Sequence, residues 1–368
     1  MSLDRDLERI EYSRPPIVRA KPAFSPREIG QSGDLDLPVE LDLPDEDELA
    51  HTQYLRAIDR LKEDKSLYPR FKRLESIHAL TGSFAPEELI FVAGGTGNGK
   101  SLLCQNLFDD LIEQEIPSLY IGTEQSPEVL RIKHACIRAG VSPRLMLKPE
   151  VRDQGTTAFE LAREAVQTEL RWLDSPERRE LAYYANSEYI NRSELTRWIS
   201  GGVKRYGIEC VIVDHIDQVS HGEGFNSVHE LTQTVHHLHN LAREHQIPIV
   251  VASQIKRTTD PLKRFAPPDS DDLAGSAGKE RVMAVGLGLW RPLRTDLPIT
   301  ELREIIKRSK QGSKSQDQIY QPDTMGVRLL KDRLGSVPGK QSMLHVGKGG
   351  RLSDDPGLTH GIKTGGTR

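Results

Sequence analysis

Residues 88–101, ELIFVAGGTGNGKS, constrain what this chain can fold into more than any other stretch. ELIFVAG is an unbroken apolar run, which fits a strand covered on both faces better than a half-exposed one. A glycine-rich turn follows, and then a helical pattern from Lys100 to about Glu115. A buried strand that passes through glycines straight into a helix opens a βαβ unit, and such a unit needs a parallel sheet around it.

The rest of the chain repeats this alternation. Strands are predicted at SLYIGTE (118–124), ELAYYAN (180–186), IECVIVD (208–214), IPIVVASQ (247–254) and MAVGLGLW (283–290). Helices are predicted from Ser126-Pro127 onward, near 158–174, over SELTRWISGGVKRYG, and from Ser227 to His245. MGVRLLKDR and KQSMLHV, joined around GSVPG, read as a late hairpin. The fold class is therefore α/β: a mostly parallel sheet with helices on both faces and a C-terminal β-hairpin. Within LLKDRLGS, strand alternation puts Lys331 and Arg333 on one face, preceded there by Val327 and Leu329. Two cations so placed either stay solvated and guard an edge or are aimed at an anion.

Composition bounds the partners. A net charge of −4 excludes a globally basic chain, so any nucleic-acid contact must come from a local patch or a channel built by assembly. Cys104, Cys136 and Cys210 show neither metal-ligand spacing nor a disulfide framework, which indicates a reducing, cytoplasmic compartment. No apolar run is long enough to span a membrane, and MSLDRDLERIEYSRPP lacks the apolar segment of a signal peptide. Residues 1–48 read as a disordered acidic leader, and 49–66 as a helix whose stripe of Leu49, Tyr54, Leu55, Ile58 and Leu61 needs a partner surface. A main domain is expected over 67–347, and 348–368 read as a flexible, basic, glycine-rich tail.

GGTGNGKS matches the phosphate-loop pattern G-x-x-x-x-G-K-[ST] in full, with the right strand before it and the right helix after it. The backbone of Gly94, Gly95, Thr96, Gly97, Asn98 and Gly99 can wrap a polyphosphate such as that of ATP, with the helix N-terminus facing the anion. Lys100 would reach the β- and γ-phosphates, and the Ser101 hydroxyl would coordinate Mg²⁺. Asp214, ending the strand of CVIVDHID, supplies a second carboxylate for the metal where ligands gather in open α/β sheets. Glu124, in YIGTEQS, ends the strand that follows the phosphate-loop helix and suits a group that orients attacking water, or else it is a helix-start carboxylate. Gln254 could sense the γ-phosphate or serve as a loop amide. His229, His236, His237 and His239 share one helix without a completed zinc set. Trp172, Trp198 and Trp290 read as packing residues, and Cys104 as a small core residue.

Glu124 after the second strand, Asp214 in VIVDHID, and ASQIKR after IPIVVASQ together resemble the RecA-type motor of DnaB-like replicative helicases, including phage and Twinkle-type forms. The resemblance runs from about residue 49 to 347 and includes DDLAGSAGKERVMAVGLGLWR. It implies a RecA-like phosphate-loop ATPase working as a homo-hexameric ring, with ATP sites between subunits. It also implies single-stranded DNA in the channel, and translocation from 5′ to 3′. The 49–66 helix would dock on a neighbouring subunit, and a loader or primase would be a partner. The DNA loop departs from the family pattern, with Ala274-Gly275 standing where the family has Arg-Glu. Backbone groups of Gly275, Ser276 and Ala277 could still hold phosphate, with Lys279, Arg281, Lys256 and Arg257 nearby. By the same resemblance Arg333 is an arginine finger for the adjacent subunit's ATP, with Lys331 assisting. The weakened loop keeps a different class open, a RecA-fold ATPase acting as a recombination mediator or protein-assembly switch. A small-molecule kinase would leave the 49–66 helix and the late hairpin unexplained.

Overall fold

The computed structural model describes residues 68–148, 157–186, 190–219, 227–255, 267–273, 281–291, 323–333 and 338–354. The expected leader, docking helix and DNA loop (274–280), together with Lys256, Arg257 and most of 292–324, lie outside these residues. Helices and strands follow one another along the described residues. They begin with α1 (Glu75–Thr81), β1 (Leu89–Gly94), α2 (Lys100–Glu113), β2 (Ser118–Gly122), α3 (Pro127–Ala139) and α4 (Pro143–Leu147). Next come α5 (Thr157–Leu173), β3 (Ala182–Ala185), α6 (Arg192–Tyr206), β4 (Cys210–Asp214) and α7 (Ser227–His245). The last are β5 (Ile249–Gln254), β6 (Val285–Trp290), β7 (Thr324–Asp332), β8 (Gln341–Val346) and β9 (Leu352–Asp354).

All nine strands form one sheet in the order β3-β2-β4-β5-β1-β6-β7-β8-β9. The six from β3 to β6 pair in parallel, and β7, β8 and β9 continue the sheet antiparallel. The apolar runs are explained by burial on two sides. Ile90 and Val92 of β1 face a core shared with α2, whereas Leu89, Phe91 and Ala93 face one shared with α6 and α7. Helix ends follow local chemistry. The Ser126 hydroxyl accepts the Val129 N–H ahead of α3, whose first residue is Pro127, and Asn191 caps α6 through the Glu194 N–H.

Two expectations are corrected. The sheet does not stop at residue 347: Leu352–Asp354 pairs with Leu344–Val346, so the first part of the glycine-rich tail is an edge strand. The face assigned to Lys331 also changes. A β-bulge sets Leu329 opposite Leu287 but Lys331 opposite Gly286, leaving Leu330 as the extra residue. Neighbouring residues of β6 point to opposite faces, so Lys331 lies on the face away from Val327 and Leu329. Those two leucine-and-valine side chains belong to the α2 core, whereas Leu330 joins the α6–α7 core.

Helix α2 carries a feature that its apolar pattern does not announce. Asp109, fully buried, lies 2.8 Å from Arg73, 2.6 Å from Arg138 and 2.8 Å from His134 Nε2. With that ring nitrogen donating to Asp109, Nδ1 is left to accept the Tyr184 hydroxyl at 2.7 Å. Burial alone would raise the Asp109 pKa, but the His134 hydrogen bond and the flanking charges hold it well below the usual carboxylate range. Arg138 also covers the Trp172 ring at 3.5 Å, which ties α5 to α3. Asp109→Ala would leave two arginines facing a buried gap, and the unfolding free energy should fall by about 3–5 kcal/mol in a denaturant titration followed by circular dichroism.

Candidate nucleotide site

Parallel register brings the candidate residues to one end of the sheet. Gly94 pairs with Gln254, and Gly122 pairs with Asp214, so the C-terminal ends of β1, β5, β2 and β4 lie side by side. The loop after β1 then turns into α2. Gly99 sits at the helix start with φ +96°, where a side chain would be strained, and a Cβ there would meet Met325 Sδ at 2.6 Å. The Asn98 side chain donates to the Leu289 carbonyl at 3.2 Å, fastening the loop to β6. Thr96 and Gly97, at the tip, are exposed.

Lys100 is buried, and its ammonium donates to the carbonyls of Gly94 and Gly95 at 3.0 and 3.2 Å. Burial lowers its pKa against the pull of Asp217, Asp214 and Glu124. The Ser101 hydroxyl donates to Asp214 Oδ1 at 3.0 Å, and the Tyr120 hydroxyl donates to Oδ2 at 2.6 Å. Asp214, only 8% exposed, is thus held on one oxygen and offers the other beside a hydroxyl. A carboxylate and a hydroxyl placed together are hard oxygen donors that fit Mg²⁺. Ser101, Gln105, Lys133, Ser142, Arg291 and Gly350 line a cleft of about 410 Å³ that opens beside the loop. Burial lowers the Lys133 pKa, opposed by the Asp214 and Glu124 carboxylates.

Glu124 is 56% exposed at the mouth of the site, and its Oε1 lies 3.1 Å from His215 Nε2 and 3.4 Å from Gln218 Nε2. His215 Nδ1 lies 3.5 Å from Asp217 Oδ2, and that same oxygen accepts the Gln254 N–H at 2.7 Å. Burial disfavours the imidazolium of His215, but the two carboxylates outweigh it and its pKa is raised. Lys100, Ser101, Asp214, Glu124 and Gln254 therefore converge. Arg333 and Lys331 do not: Asp332 pairs with Val285 and the Arg333 N–H bonds the Ala284 carbonyl at 3.0 Å, at the opposite end of the strands. The Arg333 guanidinium donates to the Arg281 carbonyl, and Arg281 is exposed.

Sequence reasoning missed Tyr120, Lys133, His215 and Asp217 as members of the site. Tyr120 sits inside an apolar strand, and its role depends on β4 lying next to β2. The short DHID run around Asp214 was the available signal for His215 and Asp217. Two of the four histidines singled out on α7 find other partners. His237 bonds Thr196 at 2.7 Å and His229 bonds Gln233 at 2.8 Å, and no group of three or more His, Cys, Asp or Glu fit to hold a metal occurs among the described residues. Among the same residues no helix is long and apolar enough to cross a membrane. Trp290 is buried and Cys104 fully so, both as packing residues.

A sheet of this order with a phosphate loop after its central strand defines a phosphate-loop nucleotide-binding protein of the RecA-like class. The family model of the DnaB-like helicase C-terminal domain matches residues 70–314, and the chain belongs to that family. A probable replicative DNA helicase of Trieres chinensis is 23% identical over 220 residues, which is 58% of this chain and 46% of the relative. The chain thus spans about half the length of the curated relative it matches. Among solved structures, one of a DnaB-like replicative helicase and its interactions with primase superposes with a TM-score of 0.62 at 13% identity, covering 83% of this chain and 66% of that one. A solved ATPase domain gives 0.63 at 12% identity, covering 83% of this chain and 98% of its own.

Tyr120→Phe isolates the contribution of the Asp214 clamp. It leaves a buried carboxylate oxygen without its donor, so stability should drop by about 1–3 kcal/mol. The Mg²⁺ concentration needed for half-maximal nucleotide binding should rise, as read by titration with a fluorescent ATP analogue.

Proposed function

We propose that this chain is the ATP-driven motor of a DNA replication helicase, translocating 5′ to 3′ on single-stranded DNA as a homo-hexameric ring. The observation that carries this reading is the convergence of Lys100, the Ser101–Asp214 pair, Glu124 and Gln254 at one end of the sheet. The loop N–H groups and Lys100 would hold the phosphates, and the cleft beside Ser101 would take the nucleoside. Ser101 and Asp214 would hold Mg²⁺, which supplies charge neutralisation on the phosphates when bound. Glu124 would take the proton of the attacking water, and the Gln254 side chain would contact the γ-phosphate.

The position of Arg333 supports an assembly. It lies level with the start of β1, and five residues of strand, about 16 Å, separate that level from Gly94. That is farther than an arginine side chain reaches, so in the monomer Arg333 serves no phosphate at its own loop. Set against a neighbouring subunit it can act as an arginine finger, a group worth about 10³–10⁵ in rate, with Lys331 beside it. Backbone and cationic groups at 275–281, with Lys256 and Arg257, would contact DNA, and the partner class is a loader or a primase.

Purified protein should show ATPase stimulated by single-stranded DNA and should unwind a forked duplex with a 5′ tail. ATPase without either property would sink the helicase reading and leave the assembly-switch alternative. Arg333→Ala should reduce hydrolysis to near zero while ATP binding is kept. Mixing it with Glu124→Ala subunits should restore partial activity at hybrid interfaces, and no rescue would count against action in trans.

A further inference from the structure

An exposed carboxylate in a wet cleft samples several rotamers unless something holds it. Glu124 is 56% exposed, yet its Oε1 rests against a side chain that is only 7% exposed, the imidazole of His215. That imidazole is itself fixed. Its backbone N–H donates to Thr123 Oγ1 at 3.0 Å, and its Nδ1 faces Asp217 Oδ2 at 3.5 Å. Asp217 in turn accepts the Gln254 N–H at 2.7 Å and the Ser253 hydroxyl at 3.4 Å. A chain of contacts therefore joins the ends of β2, β4 and β5, with His215 at its centre and its step to Asp217 a charge contact at 3.5 Å rather than a hydrogen bond.

We infer that His215 is a positioning residue that couples the water-orienting carboxylate, Glu124, to the γ-phosphate sensor, Gln254, through Asp217. The inference rests on the ATPase reading of the site given above. The sheet fixes the backbones of the two strand ends, but side chains that act on the same phosphate need finer alignment than strand pairing provides, because a misplacement of about 1 Å can cost about 10²-fold in rate. The bridge supplies that alignment. A shift of the Gln254 backbone toward a bound γ-phosphate moves Asp217, and with it the donor that holds Glu124. Two consequences separate this role from general support of the fold. Loss of His215 should act on turnover and spare nucleotide binding. A replacement that returns a donor at the Nε2 position should restore function, whereas one that fills only the Nδ1 position should not.

The test measures kcat, KM for ATP and affinity for a non-hydrolysable ATP analogue on the full chain, with Glu124→Gln as reference. His215→Ala should lower kcat by about 10²-fold while KM and analogue affinity stay within about twofold. His215→Gln, whose amide nitrogen reaches the Nε2 position, should recover most of the loss, and His215→Asn should not. Asp217→Asn should reproduce the defect in part, and the double variant His215→Ala/Asp217→Asn should be no slower than His215→Ala alone, since both break one bridge. Wild-type kcat in His215→Ala, equal rescue by Asn and Gln, or analogue affinity falling in step with kcat would each overturn the inference. If Glu124→Gln is inactive and His215→Ala fully active, the coupling alone falls. If Glu124→Gln hydrolyses ATP at the wild-type rate, the ATPase reading falls and takes the coupling with it.

Discussion

Parallel pairing of β1 with β5, and of β2 with β4, is the constraint on which the site depends. Because the register aligns Gly94 with Gln254 and Gly122 with Asp214, four loops leave the same end of the sheet, those of β2 and β4 two residues short of those of β1 and β5. Parallel strands need a crossover between each pair, so both faces carry helices and the strands have to be apolar on both sides. The same burial makes the polar exceptions at the strand ends expensive unless they are satisfied. Asp214 is satisfied by Tyr120 and Ser101, and Lys100 by two loop carbonyls.

The antiparallel end of the sheet has another role. Strands β7, β8 and β9 extend it beyond β6, and Gly326 lies so close to Trp290 that a Cβ would stand 2.2 Å from the ring. The bulge at Leu330 keeps both cores supplied from one strand while turning Lys331 to the α7 side. These features place Lys331 and Arg333 at the end of the sheet remote from their own phosphate loop. At that distance neither cation reaches its own phosphate loop, and the proposed assembly rests on that separation. Helix α2 links the site to the packing beside it, since it starts at the phosphate loop and carries Asp109, around which α3 and, through Arg138 and Trp172, α5 are organised.

Much of this was legible in the residues. The phosphate loop is a local motif, so Gly94 to Ser101 could be read without knowing any long-range contact. Each strand and helix of the alternation also has its own apolar period, and Ser227–His245 and the hairpin strands fall where that period puts them. Simple alternation puts Lys331 on the Val327–Leu329 face because a bulge leaves no apolar or glycine signature there: two leucines in succession fit an ordinary buried strand equally well. The tail was misjudged for a related reason. Glycines around Lys348 suggest freedom, but Leu352 is only 5% exposed and its N–H donates to Asn106 at 2.9 Å, a partner on α2 far away in sequence.

By itself the sequence determined the class of fold, the phosphate loop and the identity of the strand-end carboxylates. These follow from local spacing and from apolar periods that only a covered parallel sheet can bury. The tertiary structure alone decided which of those groups meet. Tyr120 reaches Asp214 only because β2 lies beside β4, and His215 bridges Glu124 and Asp217 only because three strand ends lie at the same end of the sheet. Arg333 is separated from Lys100 only because β7 runs back along β6. Strand order and direction are set by packing over the whole sheet, and no short stretch of residues encodes them.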